Sequence, residues 1–137
     1  QILKKFPELE KGIDLLFIDS YHDPFHVKNL LFNWFYFIKK NGFIFLDDTE
    51  SYLYRIKKNN ILAIINDSIN TEIKKFYHQN YDQLIYTKYF SGTGLAELHK
   101  ISDFHSKPNY NEIWNYNFLF SKIYLLIKKI KFYFSNF

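Results

Sequence analysis

Residues 13–48 read IDLLFIDSYHDPFHVKNLLFNWFYFIKKNGFIFLDD, and this stretch decides the fold. It opens on a short apolar run, Ile13 to Asp19, that has no helical periodicity and is followed by polar residues. Such a run is typical of a buried β-strand. Asp23 and Pro24 then supply two signals of a helix start, an N-cap residue and a proline at the first helical position.

The following residues predict an amphipathic helix from Pro24 to about Lys39. Asn41-Gly42 is expected to end this helix in the left-handed conformation that glycine tolerates. A second apolar run, Phe43 to Leu46, follows and closes on Asp47-Asp48. The helix would bury the apolar residues that recur at i, i+3, i+4 and i+7, namely Val27, Leu30, Leu31, Trp34, Phe35 and Ile38.

Together these elements predict a β-α-β unit. Crossovers of this kind are right-handed in nearly all proteins and make the two strands parallel. Asp19 and Asp47-Asp48 are therefore expected at the same, carboxyl-terminal edge of the sheet. Open α/β sheets bind their ligands at that edge.

Downstream, the pattern is less regular up to residue 79 and then favours a β-hairpin. One long or two short helices are predicted between about 53 and 79. Residues 84–90 and 95–100 predict two strands, joined by a turn at Ser91-Gly92-Thr93-Gly94 whose glycines permit a sharp reversal.

The remaining residues predict a linker and a terminal helix. We divide the chain into a domain at 1–101, a polar loop at 102–117 and an amphipathic basic helix at 118–137. Four lysines in the last segment interrupt any membrane span. We therefore expect it to pack on the domain or on a partner, and an interfacial membrane helix is the alternative.

The amino-acid composition excludes several classes of protein and site. A chain of 137 residues with 47% hydrophobic and 23% charged residues is a single folded domain or part of one, which excludes a disordered tail. The absence of cysteine excludes disulfides, thiolate zinc sites and cysteine nucleophiles. The net charge of +4 comes with lysine pairs scattered along the chain, which predicts a solvated surface rather than a nucleic-acid interface.

Residues 13–50 resemble the class I S-adenosylmethionine-dependent methyltransferases, most closely the group that O-methylates sugars of natural products and surface glycans. The turn at residues 91–96 also resembles that family's closing hairpin. The resemblance implies an α/β, Rossmann-like sheet of seven mostly parallel strands, of which this chain would hold the last four. The residues that carry the family's pattern are Asp19, His22, Trp34, Gly42 and Asp47-Asp48.

Nothing in the sequence matches the family's Gly-rich loop or the acid that holds the cofactor ribose. The chain also begins at Gln1 rather than at Met, with no signal segment before the first strand. We therefore expect a cytoplasmic fragment, the carboxyl-terminal half of an enzyme, inactive alone and prone to self-association through an exposed sheet edge.

The resemblance implies S-adenosylmethionine and Mg²⁺ as cofactors and a sugar, glycan or other small-molecule hydroxyl as acceptor. His22 is the expected general base, because a neutral imidazole can accept the hydroxyl proton. Acids at adjacent parallel strand ends can surround one hard cation, which makes Asp19, Asp47 and Asp48 the expected metal ligands. The residues expected at the cofactor are Asp19, Ser20 and Tyr21.

Plainer interpretations stay open for these residues. Asp47-Asp48 could cap a helix, Asp19 could end a strand, His22 could be a surface residue, and Tyr21 could serve packing alone. The whole chain could be a non-catalytic remnant or interaction module of the same fold. A nicotinamide-dependent oxidoreductase would require a G-x-G-x-x-G motif after a strand, and the sequence has none.

Overall fold

A computed structural model describes residues 2–21 and 23–110 of the chain. The sheet contains four strands, β1 (Ile13–Ile18), β2 (Ile38–Leu46), β3 (Leu84–Tyr89) and β4 (Leu95–Lys100), in the spatial order β1-β2-β4-β3. Strand β1 is parallel to β2, and β4 is antiparallel to both of its neighbours. This confirms the predicted mixed α/β, Rossmann-like fold with its β-α-β unit and closing hairpin. The elements are α1 (Ile2–Lys5), a 3-10 helix (Pro7–Lys11), β1 (Ile13–Ile18), α2 (Pro24–Trp34), a second 3-10 helix (Phe35–Phe37), β2 (Ile38–Leu46), α3 (Tyr52–Ile56), α4 (Asn60–Gln79), β3 (Leu84–Tyr89) and β4 (Leu95–Lys100).

Helix α2 begins where the sequence predicts. The Asp23 carboxylate accepts hydrogen bonds from the backbone N–H groups of Phe25 at 2.7 Å and His26 at 3.1 Å. Pro24 occupies the first helical position, where its missing N–H costs nothing. The cap fixes the point at which the chain turns back over the sheet.

The end of α2 differs from the prediction. The helix stops at Trp34 rather than near Lys39, and Ile38 already belongs to β2. The Lys100 ammonium, from β4, donates to the carbonyl oxygens of Phe35 at 3.1 Å and Ile38 at 3.0 Å. These bonds satisfy carbonyls that a longer helix would otherwise have used.

The turn residues Asn41-Gly42 therefore lie inside β2, where its pairing with β1 shifts register. Asn41, and not the glycine, takes the left-handed conformation, with φ of 64°. Gly42 is needed for space instead, because an added Cβ would lie 2.9 Å from Ile38 Cγ2 and 3.0 Å from the Ile13 carbonyl oxygen.

The core lies between the sheet and the two helices α2 and α4. Its fully buried side chains include Leu31, Phe35, Ile44, Ile73 and Leu98. Trp34, which we expected in the core, is only half-buried and stands outside this cluster. Phe35, which was also predicted in the core, is fully buried, and its ring packs edge-on against Phe76 of α4.

Only part of the predicted loop and none of the predicted terminal helix lie within the described residues. Residues 102–110, the described part of the segment assigned to the loop, form neither helix nor strand, whereas 111–117 and the segment 118–137, predicted as a helix, lie outside the described residues. Between residues 2 and 110, apart from residue 22, no helix combines the length and apolarity that crossing a membrane requires.

Candidate functional site

A shallow pocket opens at the carboxyl-terminal edge of the sheet, where β1 and β2 end side by side. Ile18 is paired with Leu46, and the Asp47 N–H donates to the Ile18 carbonyl oxygen at 3.1 Å. The pocket is lined by Asp19, Ser20, Tyr21 and Asp47 over the apolar side chains of Ile18, Val27, Leu46 and Ile69. The structure thus brings together four of the residues that the sequence analysis singled out.

The Asp47 carboxylate is held in place from two directions. Its Oδ1 accepts hydrogen bonds from the Asp48 N–H at 2.8 Å and from the Thr93 hydroxyl at 3.3 Å. Thr93 belongs to the hairpin turn that joins β3 to β4, so the end of the sheet is tied to this acid. Sequence reasoning marked the turn but gave no signal that its threonine reaches Asp47.

Asp48 faces a different neighbour. Its backbone is in the left-handed region, with φ of 55°, and its Oδ1 lies 3.5 Å from the hydroxyl of Tyr54. Burial, followed by the negative charge of Asp48, raises the pKa of Tyr54. Asp48 is not among the residues that line the pocket, although its side chain stays part-buried beside it.

The loop after β2 is anchored to the hairpin turn. The N–H groups of Thr49 and Glu50 donate to the carbonyl oxygens of Gly94 and Thr93 at 3.2 and 2.7 Å. Lys88 forms an ion pair with Glu50 and donates to the Thr49 carbonyl oxygen at 3.0 Å. These contacts hold the segment that carries Asp47 and Asp48.

This arrangement overturns the capping interpretation of the two acids. Helix α3 begins at Tyr52 with Ser51 as its N-cap residue, and no side chain caps it. Asp47 and Asp48 make their hydrogen bonds within the loop and to Thr93 and Tyr54 instead. The Asp47 side chain therefore lies in the pocket wall, whereas the Asp48 carboxylate lies beside the Tyr54 hydroxyl and is not among the lining residues.

The expected metal site is not assembled by the residues that the structure describes. Within 2–21 and 23–110, no group of three His, Asp or Glu side chains could hold a metal ion. Asp19 is exposed, and Asp48 is not among the pocket residues. His22, the expected base, lies outside the described residues.

One polar group in the wall of the pocket lacks a hydrogen-bond partner within the described residues. The Ser20 hydroxyl is buried and has no hydrogen-bond partner in the described part of the chain. Buried polar groups are nearly always satisfied, so an unpaired hydroxyl in a pocket wall favours a ligand that bonds to it. Tyr21 is 76% exposed beside it, and its ring lies edge-on to the His26 ring with 6.4 Å between the centroids.

Comparison with known proteins gives two matches. Residues 1–49 match the model of a methyltransferase domain. Among solved structures, the chain is similar to the SAH-bound methyltransferase PaMTH1 of Podospora anserina, with a TM-score of 0.51 and 14% sequence identity over 73% of this chain. The chain spans 46% of the length of that protein. A comparison with curated protein sequences returns no match.

The two matches confirm a likeness to methyltransferases, and neither distinguishes the sugar-methylating group. The chain has the fold of a methyltransferase structure, and its first 49 residues also match a methyltransferase domain by sequence. The matched segment ends at Thr49, so it contains the whole wall of the pocket except Ile69.

Proposed function

We propose that this chain is the carboxyl-terminal half of an S-adenosylmethionine-dependent O-methyltransferase that acts on a sugar, glycan or similar small-molecule hydroxyl. The observation that carries the proposal is the pocket at the carboxyl-terminal edge of the sheet, where Ser20 offers an unpaired buried hydroxyl beside Asp19 and Asp47. The methyltransferase match over residues 1–49 supports it, because that segment forms most of this pocket.

The loop after β1 would hold part of the cofactor. Ser20 would hydrogen-bond a polar group of the ligand through its buried hydroxyl, and Asp19 would accept from a ribose or amino group at the open side of the pocket. The exposed ring of Tyr21 would stack against the flat adenine. The remaining cofactor contacts would come from the half of the fold that this sequence does not contain.

S-adenosylmethionine supplies a methyl group on a positively charged sulfur. In the proposed reaction the acceptor oxygen forms a bond to that methyl carbon while the carbon–sulfur bond breaks, and the hydroxyl proton passes to His22. An unassisted alcohol is a poor nucleophile at neutral pH, so the base is needed. Asp47, held by Thr93, would accept a hydrogen bond from the acceptor and orient it.

Mg²⁺ stays a separate prediction. We derive no step through it, because the described residues form no three-ligand group. In an enzyme that unites this chain with the missing half, chelation by EDTA should abolish turnover, and added Mg²⁺ should restore it. Undiminished methylation in EDTA would contradict the metal assignment and leave the rest of the proposal standing.

Binding is the first test, and it needs only the chain itself. Titration with S-adenosylhomocysteine at millimolar concentration should shift the amide NMR signals of residues 18–21 and of Asp47. Ser20→Ala should weaken these shifts, whereas Ser106→Ala, a matched change in a Ser102–Ser106 hydroxyl pair of the loop after β4, should not. Shifts confined to other residues, or none, would contradict the proposal and favour a non-catalytic remnant.

Catalysis is the second test. In an enzyme that also supplies the Gly-rich loop, His22→Ala should lower kcat by about 10²- to 10⁴-fold while sparing cofactor affinity, since a positioned base contributes roughly that much. His78→Ala is the matched control, because His78 is an exposed residue near the end of α4 and does not line the pocket. Near-normal kcat in the His22 variant would require a different base.

A further inference from the structure

The ring of Tyr21 has a neighbour that is not part of the pocket wall. His26, in the first turn of α2, meets it edge-to-face, with 6.4 Å between the ring centroids and 72° between the ring planes. Aromatic pairs favour this arrangement at such distances, because the electropositive edge of one ring meets the electronegative face of the other. His26 does not itself line the pocket.

The backbone links the same two residues. The Asp23 N–H donates to the Tyr21 carbonyl oxygen at 2.8 Å, which closes a tight turn immediately before α2. The Asp23 carboxylate in turn accepts the His26 N–H at 3.1 Å. Tyr21, Asp23 and His26 therefore form a closed set of contacts, and the first turn of α2 determines where the Tyr21 ring lies.

The contact with His26 leaves the Tyr21 ring available to a ligand. Whichever of the two rings supplies the edge, at least one face of the Tyr21 ring is not covered by His26. Tyr21 lines the pocket and is 76% exposed. A ring that is held by one neighbour and open on a face is suited to stacking on a flat ligand.

We propose that His26 is a positioning residue for the cofactor, because it holds the Tyr21 ring at the open side of the pocket in the orientation that stacks on adenine. This inference rests on the proposed function, in which Tyr21 stacks on the adenine of S-adenosylmethionine. It adds a residue that acts on the cofactor only through Tyr21.

The expected size of the effect follows from the freedom of an exposed side chain. Without a partner, the Tyr21 ring would occupy several rotamers, and the ligand would have to select one of them. Ordering one such side chain on binding weakens affinity by about 2- to 12-fold. We expect His26→Ala to raise the Kd for S-adenosylmethionine by a factor in this range.

His26→Ala removes the ring contact and leaves the helix start intact. The hydrogen bond to Asp23 is made by the backbone N–H of residue 26, which alanine keeps. Alanine also has a higher helix propensity than histidine. Urea unfolding of this variant should therefore match wild type, so that a change in affinity reports the ring contact and not the helix.

Titration of the 137-residue chain with S-adenosylmethionine, followed through the amide NMR signals of residues 18–21, measures the Kd. His26→Phe should restore it to within about twofold of wild type, because phenylalanine can make the same edge-to-face contact. His78→Ala is the control and should leave the Kd unchanged. His78 is an exposed histidine of α4 whose ring also lies beside a tyrosine, Tyr77, at 5.4 Å between centroids.

A double variant tests whether His26 acts through Tyr21. In a Tyr21→Ala background there is no ring to position, so adding His26→Ala should change the Kd by less than about twofold. A loss as large as in the wild-type background would mean that His26 acts by another route, and it would overturn the proposal.

The ring can also be observed without ligand. Three-bond NMR couplings should show one χ1 rotamer of Tyr21 in the wild-type chain and a mixture in His26→Ala, and a mixture in both would overturn the proposal. Absence of any shift on adding S-adenosylmethionine to the wild-type chain would contradict the proposed function and this inference together. Binding that His26→Ala leaves unchanged would overturn this inference alone.

Discussion

Lys100 is a single residue on which two elements depend. Its side chain is fully buried, and its ammonium donates to the Phe35 and Ile38 carbonyl oxygens and lies 4.4 Å from the centre of the Phe35 ring. A cation at the carboxyl end of a helical segment is favoured by the helix dipole. Burial nevertheless lowers the pKa of Lys100 from 10.5 to about 8, and the nearby charge of Asp103 offsets part of this.

The lowered pKa predicts a stability that rises with pH. Between pH 8 and 10.5 the folded chain binds fewer protons at Lys100 than the unfolded chain does, so the free energy of unfolding increases across this window. Lys100→Met removes the dependence. Urea unfolding at several pH values should therefore show that wild type gains stability relative to Lys100→Met from pH 8 to 10.

The comparison with Lys100→Met is needed because tyrosines act in the opposite sense. The pKa values of Tyr54 and Tyr86 are raised above 10, chiefly by burial, so their contribution to stability falls as the pH rises above 10. Both proteins share these tyrosines, and the difference between them isolates Lys100. A difference that stays constant between pH 8 and 10 would contradict the prediction.

Two glycines of one turn provide a matched pair. Gly92 and Gly94 both have positive φ, 62° and 83°, but only Gly94 meets Glu50, whose side-chain carbons lie 2.6 Å from an added Cβ. Nothing lies within 4 Å of a Cβ at Gly92. Gly92→Ala should lower the free energy of unfolding by about 1 kcal/mol, because of its backbone conformation alone. Gly94→Ala should lower the free energy of unfolding by about 2–4 kcal/mol, because the loop carrying Asp47 must also shift.

Thermal or urea unfolding of both glycine variants measures this contrast. Equal losses of stability would mean that the contact with Glu50 does not hold the loop. Sequence alone identifies both glycines as permissive turn residues, but it cannot distinguish them. The difference arises from Glu50, which is brought to the turn by the pairing of β2 with β4.

At the level of elements, the start of α2 was predictable and its end was not. Asp23 and Pro24 act on backbone groups two or three residues away, so the start of α2 is encoded locally. The end of α2 depends on Lys100, 65 residues further along than the Phe35 carbonyl that it binds. No local pattern contains that contact, and the apolar spacing up to Ile38 therefore suggested a longer helix.

The cap at Asp23 gives a prediction for α2. Asp23→Ala should lower the free energy of unfolding by about 1 kcal/mol, because the N–H groups of Phe25 and His26 lose their acceptor. Asp23→Ser should retain most of the stability, since a serine hydroxyl can accept the same hydrogen bonds. Urea unfolding measures both variants, and an equally large loss for serine would show that charge rather than capping is responsible.

For the whole molecule, the topology explains how much of the site the sequence could predict. Parallel pairing of β1 and β2 places Asp19 and Asp47 at one edge, which follows from the β-α-β unit alone. The hydrogen bond of Thr93 to Asp47 follows only when β4 pairs beside β2. The position of the Asp48 carboxylate could not be predicted from the sequence. The backbone of Asp48 is left-handed and its carboxylate lies beside Tyr54, whereas two adjacent acids in a sequence do not indicate that their side chains have different neighbours.

The same topology sets the affinity that we expect of the chain alone. The pocket offers the loop at residues 19–21 and Asp47, but the sequence contains no Gly-rich loop for the methionine part of the cofactor and no acid matched to its ribose. Few groups are then left to offset the loss of freedom that the ligand suffers on binding. We expect S-adenosylhomocysteine to bind the 137-residue chain with a Kd of about 1 mM, equivalent to roughly −4 kcal/mol. Isothermal titration calorimetry on the monomeric chain, checked by analytical ultracentrifugation, measures it. A micromolar Kd would mean that residues 1–110 already supply the contacts that we assign to the missing half.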